Sequence, residues 1–106
     1  MDERIHAIIR RVKEFLERRY GPRLKAVILY GSHARGTATK DSDVDLLAVV
    51  DDSLDPWRVR RSLDDLLFEV LLETGELVSV IVIPQSHYES SALPFLMNVR
   101  REGVRV

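Results

Sequence analysis

The chain of 106 residues is 45% hydrophobic and 31% charged, a balance typical of a single folded domain over residues 1–106 rather than of a disordered segment. Its 16 basic and 17 acidic side chains leave a formal net charge of −1, which excludes a strongly basic nucleic-acid-binding surface and an acidic tail. The absence of cysteine excludes a disulfide framework, a thiol nucleophile and a thiolate zinc site.

The sequence gives no indication of a membrane segment. No apolar run approaches the roughly 20 residues that cross a bilayer, and the charged N-terminus is unlike a secretory leader. We therefore expect a cytoplasmic protein without a membrane partner.

Hydrophobic periodicity predicts helices and strands along the whole chain. The expected elements are, in chain order, a helix to Tyr20, a strand over 24–30, a loop or short helical turn over 31–42, a strand over 43–50, a helix over 56–74, a strand over 77–83, a helix over 86–102 and a short edge strand over 104–106. This order predicts an α/β (α+β) fold, in which a small mixed sheet of three or four strands packs against helices.

Local signals set the expected starts of the three long helices. Asp2 is an N-cap candidate, and Asp55 followed by Pro56 is typical of an N-cap and first helical position. Ser86 and Glu89 have the spacing of a capping box, which predicts a third helix start.

Two acids at the head of the second strand are the first candidates for chemistry. Asp43 and Asp45 are two residues apart, so their side chains point to one face of the strand. Neighbouring carboxylates repel unless a positive charge lies between them. Mg2+ is the natural partner, because it takes oxygen ligands and completes its shell with water and phosphate.

The turn after the first strand supplies a candidate phosphate site. Gly31 permits close approach of the backbone, and Ser32 offers a backbone N–H and a hydroxyl at the start of a turn or helix. A phosphate site beside a divalent-metal site suits transfer from a nucleoside triphosphate.

Two simpler interpretations compete with this one. Gly31 and Gly36 are spaced as in a P-loop, but Thr37 and Ala38 follow where that motif needs Lys and Ser or Thr. Glycine, serine and aspartate are also ordinary turn residues. Their combination between two apolar strands makes an ordinary turn a weaker explanation than a site.

The spacing of these residues resembles a known signature. Gly31-Ser32, ten intervening residues and then Asp43-x-Asp45 is similar to the motif of the polymerase-β-like nucleotidyltransferase superfamily, and the chain resembles its minimal (MNT) members from about 24 to 83. The resemblance implies that Asp43 and Asp45 hold two Mg2+ ions and that Gly31, Ser32 and Arg35 bind the phosphates of ATP. A hydroxyl would then attack the α-phosphorus while pyrophosphate leaves.

The resemblance also implies a partner. Minimal members of the superfamily are commonly encoded beside a helical HEPN-type protein, and they can act as the antitoxin by adenylylating the toxin. We therefore expect a nucleotidyltransferase that transfers AMP to a hydroxyl of such a partner, with the acceptor surface supplied by the partner or by a second copy of the chain.

One departure from the family pattern supports a rival hypothesis. The third metal-binding acid of the family lies on the next strand, where this chain has Ser79, a poorer magnesium ligand. Glu76 is nearby but is expected on the opposite face. The rival is a catalytically degenerate nucleotide-binding module that neutralises its partner by binding. A small-molecule-modifying nucleotidyltransferase is disfavoured because no substrate domain is expected.

Other notable residues have simpler explanations. His33 could contact phosphate or acceptor, but a loop-tip position explains it better, and Trp57 is expected to close the end of a core. For an apolar stretch near the C-terminus, packing is the first explanation and an oligomer or partner interface the second; its members are Phe95, Leu96, Met97 and Val99.

Overall fold

The computed structural model describes residues 2–106, which form a mixed four-stranded sheet with helices on both faces. The elements are α1 (Glu3–Tyr20), β1 (Leu24–Tyr30), α2 (Ser32–Arg35), β2 (Val44–Val50), α3 (Pro56–Ser62), α4 (Asp64–Thr74), β3 (Val78–Pro84), α5 (Gln85–Ser90), α6 (Pro94–Glu102) and β4 (Val104–Arg105), with a 3-10 turn over Gly21–Arg23. The expected α/β fold is therefore confirmed, including the short edge strand at the C-terminus.

The sheet has the strand order β3-β2-β1-β4. β1 is antiparallel to both β2 and β4, whereas β2 and β3 are parallel. A parallel pair needs a long crossover, and here α3 and α4 provide it. The first residues of β2 and β3 consequently lie at the edge of the sheet where β1 ends.

The larger core lies between one face of the sheet and the helices α1, α3 and α4. α1 is amphipathic, and its buried residues recur every three or four positions: Ile5, Ile8, Ile9, Val12 and Leu16. They pack against the alternate residues of the sheet that face them, among them Leu29, Leu46 and Val80. Each such side chain stabilises the fold by about 1.5–3 kcal/mol through removal from water.

A smaller core lies on the opposite face, beneath α5 and α6. Leu96 and Val99 of α6 pack against Ile28, Leu47 and Val49 of the sheet. These helices cover only part of the face, so the ends of the strands near Tyr30 and Ser79 stay partly accessible. β2 is buried on both sides, as its nearly continuous apolar sequence predicts.

The expected caps of the first two helices are confirmed. The Asp2 carboxylate accepts a hydrogen bond from the backbone N–H of Arg4 at 2.8 Å. The Asp55 carboxylate accepts one from Trp57 at 3.0 Å, with Pro56 in the first turn. The side chain of Trp57 itself is 77% exposed, so the expectation that it closes a core is wrong.

The single helix expected over 56–74 is two helices, which meet at Leu63. The Ser62 hydroxyl donates to the carbonyl of Val59 at 2.6 Å and accepts from the Tyr20 hydroxyl at 2.8 Å. This contact with the end of α1 holds the junction. The apolar stripe runs through the break unchanged, since Val59, Leu63 and Leu67 are all buried.

The capping box expected at Ser86 is wrong. α5 begins at Gln85, directly after Pro84, and its N-cap residue makes no side-chain hydrogen bond. The backbone N–H of Ser86 instead donates to the Asp52 carboxylate at 3.1 Å. The helix expected over 86–102 is also interrupted between α5 and α6.

Within residues 2–106, no helix combines the length and the apolar character needed to cross a membrane.

Candidate active site

The two acids of the motif lie where β2 begins. Asp43 directly precedes the strand and is exposed, whereas Asp45 is its second residue and is half-buried. Burial raises the pKa of the Asp45 carboxyl, and the neighbouring charge of Asp43 raises it further, while His33 and Arg35 act in the opposite direction. The structure therefore brings together the two acids that the sequence singled out, in a repulsive pair that a cation would relieve.

Gly31 contacts this acidic pair directly. Its backbone has φ +76° and ψ −156°, a region that residues with a Cβ rarely adopt. A Cβ built at this position would overlap the Asp45 carboxylate. The sequence explained Gly31 by the approach of a phosphate, but in the structure the close neighbour is a carboxylate oxygen of the expected metal site.

Ser32 begins the short helix α2, which ends at Gly36. The Gly31 carbonyl accepts from the backbone N–H of Arg35 at 3.1 Å, and the Ser32 carbonyl accepts from that of Thr37 at 3.0 Å. Arg35 is exposed yet close enough to Asp45 to favour its charged form. The residues expected to bind phosphate are thus placed on the β1 side of the acids.

Ser79 lies on the other side of Asp45. The two residues pair in the register of β2 and β3, and Tyr30 pairs with Asp45 from β1. Paired residues on neighbouring strands point to the same face, so the side chains of Tyr30 and Ser79 lie on the face of Asp45, one on each side of it. Ser79 therefore occupies the place beside Asp45 that the third acid of the family was expected to fill.

The donor set suits a magnesium site with an incomplete carboxylate shell. Among residues 2–106, no group of three or more Asp, Glu, His or Cys side chains is arranged to hold a metal ion. Two carboxylates with a neighbouring hydroxyl are oxygen donors of the kind that Mg2+ prefers, and water or phosphate completes such a shell. The residues present fit Mg2+ at Asp43 and Asp45.

Glu76 lies on the α1 side of the sheet and not on the face that carries Asp45. It precedes β3, is buried, and its carboxylate accepts from the Arg4 guanidinium at 2.8 Å. Its position away from Asp45 agrees with the sequence-based expectation. The sequence did not predict the ion pair, because 72 positions separate its two members.

Tyr30 and His33 are features of the site that sequence reasoning undervalued. Burial and the charge of Asp45 raise the pKa of the Tyr30 hydroxyl, and the Tyr30 ring meets that of Phe95 edge to face at 5.4 Å. The Nε2 atom of His33 is buried with no hydrogen-bond partner in residues 2–106. His33 also lines a cleft of about 450 Å³ together with Arg4 and Glu76.

Comparison with known proteins identifies related sequences. A family model described as a nucleotidyltransferase domain matches residues 9–103. MJ0604 of Methanocaldococcus jannaschii, which carries the name of a protein adenylyltransferase, is 35% identical over 87% of this chain and 90% of its own length. MJ1305 of the same organism has the same kind of name and is 39% identical over 78% of this chain and 58% of its own.

Solved structures share the fold at lower sequence identity. A toxin–antitoxin complex with AMP-PNP contains a chain that is 20% identical, with a TM-score of 0.57, over 90% of this chain and 69% of that one. A complex of the tri-AMPylated HEPN toxin of Shewanella oneidensis with an MNT antitoxin gives 16% identity and a TM-score of 0.55, over 95% and 70% of the two chains.

Proposed function

Because the chain belongs to the nucleotidyltransferase domain family, we propose that it is an adenylyltransferase that uses ATP and Mg2+ to modify a hydroxyl of a partner protein. The nucleotidyltransferase activity follows from the family. The use of ATP and Mg2+ and the protein acceptor are our additions to this activity. The observation that carries the proposal is the contact between Gly31 and Asp45, which joins the expected phosphate site to the expected metal site.

The phosphates of ATP are placed at the turn after β1. Gly31 and Ser32 offer backbone N–H groups there, and the exposed Arg35 adds positive charge to the same side of Asp45. Because a triphosphate carries several negative charges, this cationic side suits the β- and γ-phosphates better than the side formed by β3.

The carboxylates of Asp43 and Asp45 would hold two Mg2+ ions. The ions, when bound, stabilise the charges on the attacking and the leaving oxygens of an in-line displacement. In the reaction, the acceptor hydroxyl oxygen forms a bond to the α-phosphorus, and the bond from that phosphorus to the bridging oxygen breaks. Pyrophosphate leaves, the hydroxyl proton passes to solvent, and the product is an AMP ester of the acceptor.

We assign the acceptor to a protein of the HEPN type. The names of the relatives MJ0604 and MJ1305 refer to protein adenylylation, and structural neighbours are found in complexes of MNT antitoxins with HEPN toxins. The chain would then act as the antitoxin, since esterification by AMP places a bulky anion on its partner.

The decisive experiment incubates the protein with radiolabelled ATP, Mg2+ and any helical protein encoded beside it, followed by mass spectrometry of that partner. We expect a mass increase of one adenylyl group per modified hydroxyl. The Asp45→Asn variant should abolish it, whereas the nearby exposed Asp41→Asn should not. A partner that stays unmodified by the wild-type protein, although a complex forms, would refute the transfer.

The second candidate is a nucleotide-binding module that inhibits its partner by occlusion, and Ser79 favours it. A hydroxyl stands where a carboxylate was expected, and a hydroxyl is the poorer magnesium ligand on the β3 side of Asp45. The Ser79→Asp variant separates the two candidates. In an enzyme limited by this ligand, it should melt at a lower temperature without Mg2+, regain stability with Mg2+, and transfer AMP faster.

Other results for Ser79→Asp would contradict the enzyme hypothesis. A loss of stability that Mg2+ does not reduce would show that the new carboxylate is buried away from the metal. Metal-dependent recovery of stability without any transfer of AMP, in both the wild-type protein and Ser79→Asp, would favour the binding module. Ser79→Asn is the matched control, because the asparagine side chain has nearly the same shape as that of aspartate but carries no charge.

A further inference from the structure

Two apolar residues, one directly before β3 and one within it, lie on either side of Ser79, the β3 residue that pairs with Asp45. Leu77 and Ile81, two residues before and after Ser79, are 51% and 38% exposed. The Leu77 carbonyl accepts from the backbone N–H of Val44 at 2.9 Å, so the chain is already extended there. Alternation along a strand then places all three side chains on one face, beside Asp45.

The order of the site residues across the sheet places Leu77 and Ile81 on the side of Asp45 opposite to Gly31. Gly31 lies against Asp45 from the β1 side, and Ser79 pairs with it from the β3 side, so the three lie in a row. Neighbouring strands are about 4.8 Å apart, so the row spans roughly 10 Å. Charge is distributed unevenly along this row. Arg35 and His33 act on Asp45 from α2, whereas the residues of β3 on this face are uncharged.

In-line displacement requires the attacking and the leaving oxygens to lie on opposite sides of the α-phosphorus. With the phosphates of ATP on the cationic β1 side and the metal ions at Asp45, pyrophosphate leaves toward Gly31. The acceptor hydroxyl must then arrive from the β3 side, over Ser79. A polypeptide that presents its hydroxyl there lays the neighbouring residues over Leu77 and Ile81.

We propose that Leu77 and Ile81 form an acceptor subsite that selects a hydroxyl-bearing side chain flanked by apolar residues in the acceptor protein. The proposal rests on the proposed function, because it assumes that ATP and Mg2+ occupy Gly31 and Asp45. In the step itself, the acceptor oxygen bonds to the α-phosphorus, the bond to pyrophosphate breaks, and the hydroxyl proton goes to solvent. Leu77 and Ile81 determine specificity and touch neither the phosphates nor the metal.

A second apolar patch on the molecule supplies the matched control. Phe68 and Leu72, one turn apart on α4, are 57% and 71% exposed. No residue of the candidate site lies on α4, so this patch can be changed without touching the proposed subsite.

The test uses short peptides that carry one Ser, Thr or Tyr, flanked by Leu and Val, by Asp, or by Gly. Each is incubated with the full chain, Mg2+ and ATP labelled at the α-phosphorus. We expect the wild-type protein to label the apolar-flanked peptides at least tenfold faster than the acid-flanked ones. Ile81→Lys should reverse this preference by tenfold or more, since its ammonium group attracts the acidic flanks. Leu72→Lys should leave the preference unchanged.

Two further measurements make each outcome decisive. Leu77 precedes β3, so Leu77→Lys is less disruptive to the strand and tests the subsite even if Ile81→Lys fails to fold. Mg2+-dependent ATP binding should be unchanged in all three variants. Three outcomes would overturn the proposed subsite. The wild-type protein could label all peptides at the same rate, neither Leu77→Lys nor Ile81→Lys could alter its preference, or a protein that binds ATP could label no peptide. Absence of Mg2+-dependent ATP binding in the wild-type protein instead overturns the proposed function, and the subsite with it.

Discussion

At the scale of single residues, the environment of Asp45 explains more of the site than any other feature. Its carboxylate is half-buried, has Asp43 as a like-charged neighbour, and lies against a glycine that has no room for a Cβ. Burial and repulsion both disfavour its charged form in the absence of a cation. The folded protein therefore carries a small energetic penalty at this position, which a divalent ion bound there would reduce.

Asp45→Asn is expected to stabilise the metal-free protein while removing its response to Mg2+. Like charges in partly solvated positions interact by about 0.2–1 kcal/mol, so the melting temperature should rise by about 1–5 °C. Thermal melts with and without Mg2+, and calorimetric titration with ATP, measure both effects. Asp41→Asn is the control, and an unaltered Mg2+-dependent ATP affinity in Asp45→Asn would remove this residue from the site.

Gly31→Ala should weaken ATP binding far more than Ser32→Ala. The added methyl group would displace the Asp45 carboxylate, and the positive φ costs about 1–2 kcal/mol for a residue with a Cβ. Ser32→Ala keeps the backbone donor, so a loss below about threefold is expected, which corresponds to well under 1 kcal/mol. Titration with ATP in Mg2+ compares them. Equal losses would show that the serine hydroxyl, rather than the glycine backbone, controls binding.

At the scale of secondary structure elements, the sequence predicted correctly the helices and strands whose ends depend on neighbouring residues. Asp2 and Gly21 cap the two ends of α1, and β1 has the predicted bounds, because capping, glycine and apolar runs act over a few residues. The break between α3 and α4 was not predicted, because the apolar stripe continues through it and the Tyr20–Ser62 hydrogen bond beside it joins residues 42 positions apart. Ser86 was misread as a cap for the same kind of reason, since its backbone N–H bonds to Asp52.

The candidate-site residues that the sequence predicted are those that lie close together along the chain. Gly31, Ser32, Arg35, Asp43 and Asp45 lie within fifteen residues, so spacing alone could relate them to one another. The sequence also indicated the place of Ser79. It could not give the contact of Gly31 with Asp45 or the Tyr30–Phe95 pair, since both depend on how separate strands and helices meet.

The ion pair that joins the start of α1 to the segment before β3 leads to a stability prediction. Arg4→Ala leaves the buried Glu76 carboxylate without its partner, which should cost about 1–3 kcal/mol. Glu76→Gln should cost less, since its amide oxygen still accepts from Arg4 and the half-exposed guanidinium keeps its hydration. Arg18→Ala, which breaks an exposed pair at 3.8 Å, should change stability by less than about 0.5 kcal/mol.

Urea unfolding at neutral pH measures these three variants. If Arg4→Ala and Arg18→Ala proved equally mild, the carboxylate of Glu76 would have to be hydrated in solution, and the burial argument would fail. The double variant Arg4→Ala/Glu76→Gln should recover part of the loss, because no unpaired charge then remains buried.

At the scale of the whole molecule, the two cores differ in size and in what they hold together. The larger one joins the sheet to α1, α3 and α4, whereas the smaller one joins it to α5 and α6 through few residues. The site lies at the end of the strands and takes residues from the sheet and from α2. Its framework therefore depends mainly on the larger core.

Leu96→Ala and Leu46→Ala should accordingly have different consequences. Both remove a buried leucine side chain and should cost about 2–5 kcal/mol. Hydrogen exchange should show local opening of 85–102 in Leu96→Ala, with the amides of α1 and β2 still protected, whereas Leu46→Ala should lower protection everywhere. Uniform loss of protection in both variants would mean that the two cores unfold as one unit.

The close contact of Gly31 with the Asp45 carboxylate has a consequence for how the two ligands bind. A metal ion that reorients this carboxylate changes the space beside the phosphate-binding turn, and a phosphate at that turn restricts the orientations of the carboxylate. If ATP and Mg2+ bind as proposed, their two binding equilibria are linked, and linkage is reciprocal: the factor by which Mg2+ changes the affinity for ATP must equal the factor by which ATP changes the affinity for Mg2+.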